Sequence, residues 1–551
     1  MDNSRFWWQA ADAPGPGPGP GDPIAQSLRF RGAQYLNRTP TTAGDQRTWT
    51  TSFWYKKSNP DISASYYIEN LMLQDPSLPC GITFFANGKL GLYWNSSGYV
   101  FQGTEVFRDP SAWYHVVQQA DGATQSYKVF INGQLVADVS GVNTYDGNWN
   151  AAGTVVSIGA QGTSTPMHGY VAEAVNVDGQ ALDPTTFGRF NANGVWVPVD
   201  PKKDGDTAWY GANGFHLGFA DPTDIGKDYS GNGNHFTATG FETTDQTSPL
   251  YDIMQDSPTN NFATFNAVVP DSGSNLTDAN LVATNNRHNL NSTPSTISIE
   301  PNTGKYYWEI THTVASGNNA YGMSWAPPTD YGVGWYWSPK LNELYSASLT
   351  GRHPNYVSPA PASGVGVVQG FAYDSDTGNC WVRNDAGWYN SGDPDAGTNP
   401  FVAPADTRAD LRLFPVKFGS TAGTTAEAFN FGQQPFKYDV PEGFEPLSTF
   451  YMPTDELPDE ITGTFTGNSN ADGPFVYTGC IPARIQYGTI DVKYQDRLGQ
   501  TNVDFLSNGF KVRSTTSNSG TVNYTVTTTH DGGEYDGNKV PFNLPAPAVS
   551  N

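Results

Sequence analysis

Hydrophobic and polar residues alternate with a period of two along much of the chain. The segments that show it best are SLRFRGAQYL, TWTTSFWYKK, AWYHVVQQA, SYKVFINGQLV and GYVAEAVNV. Because successive side chains of a β-strand point to opposite faces, this period predicts half-buried strands. The pattern begins near Ser27, so we expect β-structure from about residue 25 onward.

Asn-Gly pairs predict where neighbouring strands turn back on each other. Tyr127, Val129 and Ile131 share one face of a predicted strand, and Asn132-Gly133 follows directly. Both central residues of a type I′ turn need a positive φ, which Asn and Gly adopt most readily. Six such pairs are spread over the chain, starting at Asn87, Asn132, Asn193, Asn213, Asn232 and Asn508. Their spread predicts antiparallel hairpins along most of the length.

Composition agrees with this pattern and excludes several classes of protein. The 551 residues include 59 Gly and 40 Pro, which disfavour long helices, while 13% aromatic residues suffice for large cores. A chain of this length normally forms several domains, one per ~100–200 residues. Charged residues make up 15%, too few for a coiled coil, and the net charge of −24 should repel nucleic acids. No run approaches the ~18 apolar residues of a membrane span, so we expect no membrane insertion.

Residues 1–24 are predicted to form an arm that anchors the protein. Phe6, Trp7 and Trp8 make an aromatic tag, and a Pro-Gly repeat over residues 14–21 predicts an extended spacer. We expect the arm to dock on a neighbouring subunit, with folding back onto its own domain as the alternative. The first twenty residues lack the apolar centre of a secretory signal, so release by cell lysis is expected, and unconventional export is the alternative. The widely spaced Cys80, Cys380 and Cys480 predict buried reduced thiols.

Two series of segments resemble known families. SLRFRGAQYL, WTTSFWY, WYHVV, YKVFINGQLV and a closing strand near residues 169–177 resemble, in this order, the laminin-G/concanavalin A-like jelly rolls over residues 25–190. GKYYWEI, AYGMSWA, VGVVQGFAYDSDTGNCWVRNDAGW and FNFGQQPFKYDVPEGFEPL resemble a SPRY domain over residues 262–450, with a turn at 376–378. The connector, residues 191–261, is similar through segments 214–240 and 252–266 to tail-associated proteins of phages and related proviruses. Residues 451–551 contain three further strand candidates and predict a small C-terminal β-domain.

The predicted fold class is therefore all-β. We expect tandem antiparallel β-sandwiches, first a concanavalin A-like jelly roll and then a SPRY-like sandwich, followed by the small C-terminal β-domain.

The sequence contains no motif that indicates catalysis. A glycanase needs two carboxylates ~5–10 Å apart, which on a strand appear at even spacing. Glu173 and Asp178 have opposite parity, and Asp374 and Asp376 border a turn, so neither pair fits. HExxH, GxSxG, Walker and CxxC motifs are also absent from the sequence. We therefore expect a protein that is not an enzyme.

Two groups of residues are candidates for binding. The first is an aromatic cluster in the SPRY-like region, where the resemblance implies a partner surface formed by loops at one end: Tyr321, Trp325, Trp335, Tyr336 and Trp337. The alternative places these rings in the core, since strand alternation should bury one of Trp335 and Trp337. The second is a calcium site at Asp221, Asp224 and Asp228, with Asx turns that satisfy their own backbone as the alternative. No other cofactor is expected.

The resemblances imply a phage virion protein made in the host cytoplasm. We expect a tail-associated fibre or spike that binds a glycan or protein receptor on the host surface and docks to other virion proteins through its arm. Fibres of this kind are commonly homotrimers, which is the expected stoichiometry. The acidic surface favours neutral over anionic glycans. The alternatives are a capsid decoration or head-fibre protein, a polysaccharide-degrading tail enzyme, and a cellular lectin exported by an unusual route.

Overall fold

The computed structural model describes most of the chain from Ile24 to Thr528. The described ranges are residues 24–58, 68–74, 80–85, 88–94, 99–141, 149–159, 167–190, 195–201, 203–269, 274–285, 292–324, 333–346, 351–354, 356, 362–402, 412–418, 423–452, 458–496 and 501–528. Phe6, Trp7, Trp8 and Trp325 lie outside them. The all-β prediction is confirmed, because the helical segments of the described ranges are the helix α1 (Thr207–Tyr210) and short 3-10 turns at Pro184–Thr186, Tyr389–Ser391, Thr449–Tyr451 and Tyr494–Asp496. None of these helices is long and apolar enough to cross a membrane.

Two antiparallel sheets form the first sandwich. Its strands are β1 (Ser27–Arg31), β2 (Tyr35–Arg38), β3 (Trp49–Lys57), β4 (Ile68–Gln74), β5 (Cys80–Phe85), β6 (Lys89–Trp94), β7 (Tyr99–Val106), β8 (Trp113–Asp121), β9 (Ser126–Ile131), β10 (Gln134–Ser140), β11 (Val156–Gly159), β12 (His168–Asp178), β13 (Gly188–Phe190), β14 (Trp196–Pro198), β15 (Phe215–Leu217), β16 (Thr237–Thr239) and β17 (Ile253–Met254). One sheet runs β10-β9-β8-β3-β12-β1-β17, with β15 beside β12, and the other runs β16-β2-β11-β4-β5-β6-β7, while β13 and β14 pair with each other in a separate two-stranded sheet. The facing sides enclose a core that includes Trp49, Phe53 and Trp149.

The hairpin prediction at Asn132-Gly133 is confirmed. These residues join β9 to β10 with φ of 49° and 76°, as a type I′ turn requires. In β3, by contrast, every residue is buried although the sequence alternates. The reason is that the outer face of its sheet is also covered, by Trp196 of β14 and by Ala279 and Leu281 from the second sandwich.

The segment predicted as a connector belongs to the first sandwich. Within residues 191–261, β15 pairs with β12, β16 pairs with β2, and β17 pairs with β1. Both sheets are therefore completed by residues that follow the jelly-roll segment in the sequence.

The second sandwich repeats the two-sheet arrangement. Its strands are β18 (Ser274–Thr277), β19 (Val282–Asn285), β20 (Ser292–Pro294), β21 (Lys305–Ala315), β22 (Tyr321–Ser324), β23 (Val333–Ser338), β24 (Glu343–Ser346), β25 (Gly351–Pro354), β26 (Val368–Asp374), β27 (Asn379–Asn384), β28 (Gly387–Trp388), β29 (Phe414–Phe418), β30 (Thr425–Asn430) and β31 (Glu445–Pro446). The sheets run β18-β19-β30-β21-β26-β27-β28, with β31 parallel to β21, and β20-β29-β22-β23-β24-β25. The predicted turn is confirmed, since Asp374 accepts hydrogen bonds from the backbone of Asp376 and Thr377 between β26 and β27.

A smaller third sandwich follows. It consists of β32 (Glu460–Asn468), β33 (Phe475–Tyr477), β34 (Arg484–Tyr487), β35 (Ile490–Lys493), β36 (Val503–Leu506), β37 (Gly509–Val512) and β38 (Ser519–Thr527). The sheet β32-β38-β34-β35 packs on the sheet β33-β37-β36 around Phe465, Ile485 and Phe510. Cys480 here and Cys380 in the second sandwich are buried and not in disulfides.

Polar contacts join the three sandwiches. Gln434 of the second sandwich donates a hydrogen bond to the Tyr251 carbonyl of the first at 2.7 Å, beside the fully buried ion pair that Arg29 and Asp252 form within the first sandwich. The third sandwich reaches both others, because Asn508 donates hydrogen bonds to Ser111 Oγ and to the Thr296 carbonyl. These contacts make the described residues one continuous body.

Candidate functional site

A bulge in β12 places a residue other than glycine at a positive φ. The register between β12 and β3 shifts between Ala172 and Val175, and Glu173, inside the shift, has a φ of 50°. A residue with a Cβ pays a conformational penalty in this left-handed region, and such strain concentrates at functional sites. Beyond the bulge, β15 pairs with β12 and places His216 opposite Val175, on the outer face of the sheet.

Glu173, Asp204 and His216 form a group that we call the His216 cluster. The Glu173 carboxylate contacts His216 Nε2, and Asp204 Oδ1 lies 2.7 Å from Nδ1 on the other side of the ring. The side chain of His216 is 14% exposed, that of Glu173 26% and that of Asp204 64%, so the two carboxylates meet solvent while the ring between them is nearly covered.

The charge state of the His216 cluster follows from its two carboxylates. Burial by itself lowers the pKa of His216, but the charge of Glu173 and the hydrogen bonds to Asp204 and Glu173 outweigh it and raise the pKa to about 10. At neutral pH the ring is therefore an imidazolium between two carboxylates.

Aromatic rings border the His216 cluster. The ring of Tyr210 stacks on that of His216 at 6.5 Å between centroids, and the ring of Tyr229 lies 6.1 Å away. Trp209, on the helix α1, contacts Tyr210 edge to face, and the Lys203 ammonium lies 6.0 Å from the Trp209 ring. Tyr210 is buried, whereas Trp209 and Tyr229 are half-buried. A half-buried ring beside carboxylates can hold a sugar, since the ring covers its C–H face while the carboxylates accept hydrogen bonds from its hydroxyls.

The three aspartates predicted to bind calcium take part in hydrogen bonds within or next to their own loops. Asp228 accepts hydrogen bonds from the backbone of His216, Ser230 and Asn234, which fixes the position of β15. Asp221 is bound by Lys227 at 3.1 Å and by Thr223, while the backbone N–H of Asp224 donates to the Asp221 carbonyl. Within the described ranges no three His, Cys, Asp or Glu side chains are arranged to hold a metal ion. The calcium expectation therefore gives way to its alternative, Asx turns.

The predicted aromatic cluster lies in the core of the second sandwich. Tyr321, Trp335 and Trp337 are fully buried, and Tyr336 is 6% exposed. Trp335 and Trp337 face the interior, whereas Tyr336 packs on Tyr345 and Phe418 on the other side of the strand. The expected contact of these four side chains with a ligand is therefore corrected: they pack in the core. Both faces of β23 are covered, and Tyr321 of the neighbouring β22 lies in the same core as Trp335 and Trp337. The fifth candidate, Trp325, lies outside the described residues.

The alternation of hydrophobic and polar residues does not reveal the His216 cluster, because a bulge leaves no trace in that pattern. Glu173 and Asp178, the two carboxylates considered from the sequence as a possible catalytic pair, lie in different environments. Asp178 accepts hydrogen bonds from the backbone of Asp45 and Asn213 and from the Asn150 amide, deep inside one end of the sandwich. Burial there raises the pKa of Asp178. His216 is brought to Glu173 by strand pairing across 43 residues, for which no local motif exists.

The comparison with family models concerns the first sandwich. A family model described as the concanavalin A-like lectin/glucanases superfamily matches residues 30–186, which confirms the first resemblance. A search of curated proteins found no match.

Several solved structures are similar over about a quarter of the chain. A SAP-like pentraxin from Limulus polyphemus is 18% identical, with 29% of this chain and 79% of that chain covered and a TM-score of 0.23. The CBM40 of a Ruminococcus gnavus IT-sialidase, bound to α2,3-sialyllactose, is 14% identical, with 26% and 87% covered and a TM-score of 0.20. Domain 4 of an extracellular arabinanase from Geobacillus stearothermophilus, in complex with arabinotriose, is 19% identical, with 27% and 68% covered and a TM-score of 0.21.

Proposed function

We propose that the protein binds a glycan through the His216 cluster. The observation that carries this proposal is an imidazolium held between two solvent-accessible carboxylates beside the half-buried ring of Tyr229. The match of residues 30–186 to the concanavalin A-like lectin/glucanases superfamily supports it. With two carboxylates in the cluster and a net charge of −24, a neutral glycan fits better than an anionic one.

We further propose that this site binds its ligand without transforming it. A general acid or base works best when its pKa lies near the working pH. The pKa of about 10 keeps His216 protonated at neutral pH, and its two carboxylate neighbours are then engaged in ion pairs. These properties favour a lectin-like protein over a polysaccharide-degrading enzyme.

The biological setting is proposed from the sequence resemblances. We infer a phage tail-associated fibre or spike that binds a host-surface receptor, with a SPRY-like second sandwich. In this proposal the arm with Phe6, Trp7 and Trp8 docks homotrimers onto other virion proteins, and lysis of the host releases the particle.

Glycan binding is tested with the full-length chain on a panel of neutral and anionic oligosaccharides. Glu173→Gln and His216→Asn each remove a charged hydrogen-bonding group, so affinity for the bound neutral glycan should fall ~10-fold to ~100-fold. Asp138→Asn is the matched control, because it removes one carboxylate from β10, on the far side of β9, β8 and β3. Unchanged affinity in both cluster variants would show that the glycan binds elsewhere, and a wild type that binds no member of the panel would refute glycan binding.

The virion assignment needs a separate experiment. Immunogold labelling of intact particles with antibodies against residues 262–450 should mark the tail, and deleting residues 1–21 should abolish the label while the sandwiches stay folded. Labelling of the shell would favour the capsid decoration alternative. Particles without label would refute a virion protein.

A further inference from the structure

Three reactive side chains meet where the first sandwich joins the second. Lys56 of β3 places its Nζ 2.7 Å from Asp256 Oδ2, 2.7 Å from Asn261 Oδ1 and 3.0 Å from the Phe262 carbonyl. The side chain of Lys56 is 1% exposed and that of Asp256 0%. A buried amine and a buried carboxyl group therefore meet a half-buried carboxamide at one contact.

The surroundings of this triad favour its uncharged form. Trp113 donates a hydrogen bond to Asp256 Oδ1 at 3.1 Å, and the ring of the buried Tyr170 lies 5.6 Å from Lys56 Nζ. Burial is the main cause that lowers the pKa of Lys56 and raises the pKa of Asp256, against the attraction between the two charges. Passing one proton from Nζ to Oδ2 along their hydrogen bond removes both charges and leaves a nucleophilic amine.

Asn261 is oriented to receive that amine. Its Nδ2 donates to the Ser111 carbonyl at 2.7 Å, and its backbone N–H donates to Thr449 Oγ1 at 3.1 Å. The amide nitrogen is thus held by the first sandwich, while the amide oxygen faces Lys56 Nζ. This arrangement leaves the carboxamide little freedom to turn away from the amine.

We propose that Lys56 and Asn261 join in an intramolecular amide cross-link, with Asp256 carrying the proton between them. The neutral Lys56 amine attacks Cγ of Asn261, a C–N bond forms, and the bond from Cγ to Nδ2 breaks. Asp256 takes one proton from the Lys56 ammonium and passes it to the departing nitrogen, which also receives the proton that the attacking nitrogen sheds as the new amide forms. The ammonium charge of Lys56 thus leaves as NH₄⁺, Asp256 ends as a carboxylate, and no oxidant or reductant is needed.

The cross-link would tie β3 to Asn261, the last residue of the first sandwich, whose backbone N–H donates to Thr449 Oγ1 of the second. It closes a covalent loop between positions 56 and 261. If the chain is cut between these two positions, the part that contains β3 therefore stays joined to the second sandwich, also under a pulling force. The proposal stands on this triad alone and does not depend on glycan binding.

The second sandwich contains an internal comparison. Lys417 and Glu427 form an ion pair of 3.0 Å that is likewise fully buried. There the Lys417 ammonium donates to the Phe418 carbonyl and to Thr425 Oγ1, while Asn319 uses its Nδ2 to bind Glu427. Because among the described residues no carboxamide oxygen accepts a hydrogen bond from its amine, Lys417 should remain unmodified.

Mass spectrometry of the purified full-length protein tests the proposal. The intact mass should lie about 17 Da, one ammonia, below the sequence mass, and a branched peptide containing Lys56 and Asn261 should appear after digestion. Asn261→Ala and Lys56→Met should restore the mass expected for each variant, and so should Asp256→Ala if it folds. The peptide containing Lys417 should be linear in every sample.

A cut chain gives an independent readout. After one proteolytic cut between residues 57 and 260, the wild-type fragments should migrate together on a denaturing gel, whereas those of Asn261→Ala should separate. A linear Lys56 peptide in the wild type, together with separated fragments, would overturn the proposal. The triad would then be a buried ion pair whose Lys56 ammonium also donates a hydrogen bond to the Asn261 amide oxygen.

Discussion

Replacing His216 tests the electrostatics of the candidate site. The rise of the pKa of His216 from 6.5 to about 10 corresponds to at most ~5 kcal/mol, at ~1.4 kcal/mol per pKa unit. The exposure of Asp204, 64%, means that water screens part of this attraction, so we expect ~2 kcal/mol in practice. The variant His216→Asn keeps a polar side chain of similar reach but carries no charge.

The pH at which this stabilisation disappears follows from the direction of the shift. Because the pKa of His216 is higher in the folded than in the unfolded protein, the contribution is complete below pH 6.5 and is lost as the pH rises through about 10. The difference in unfolding free energy between the wild type and His216→Asn should therefore shrink by ~2 kcal/mol over this interval.

Two measurements check this result. Urea unfolding of both proteins at a series of pH values gives the difference in stability, and NMR of ¹³C-labelled histidines gives the pKa directly. His115 and His312 do not interfere, since burial lowers their pKa values to about 3 and about 4. A difference in stability that is independent of pH, or a pKa of His216 near 6.5, would refute the ion-pair description of the cluster.

Three further predictions concern single positions. Glu173→Gly should be ~1 kcal/mol more stable to urea than Glu173→Gln, because glycine adopts a positive φ without strain and both variants lack the carboxylate. Equal stability of the two variants would contradict backbone strain at position 173. Trp337→Ala should lower the unfolding free energy by ~3–5 kcal/mol, because it leaves a cavity in the core, and it should not change the glycan affinity. A folded variant that no longer binds the glycan would contradict the core assignment of Trp337. Burial raises the pKa of Glu309 from 4.5 to about 7, so the wild type should lose stability relative to Glu309→Gln as the pH rises from 4.5 through 7. Thermal denaturation of both proteins checks this, and a difference in stability that stays constant with pH would contradict it.

The sequence by itself determined the local structure of this protein. The alternation in SYKVFINGQLV and the Asn132-Gly133 pair specify a hairpin, because strand periodicity and positive φ preferences act between residues close in the chain. The same holds for the turn at Asp374–Thr377, where one carboxylate binds two adjacent backbone N–H groups. These local rules suffice to predict an all-β chain, whereas the expectation of a jelly roll rests on a family resemblance over residues 25–190, of which the family model matches residues 30–186.

Only the tertiary structure decided which side chains are available for chemistry. Alternation predicts that a strand has two faces but not what covers them, so Trp335 and Tyr336 are both buried although they point to opposite sides. The His216 cluster depends on a bulge and on pairing between distant strands, and the contact of Lys56 with Asn261 joins residues 205 positions apart. Such contacts depend on how whole sheets pack, and packing energy is shared among many residues, so no short motif records it.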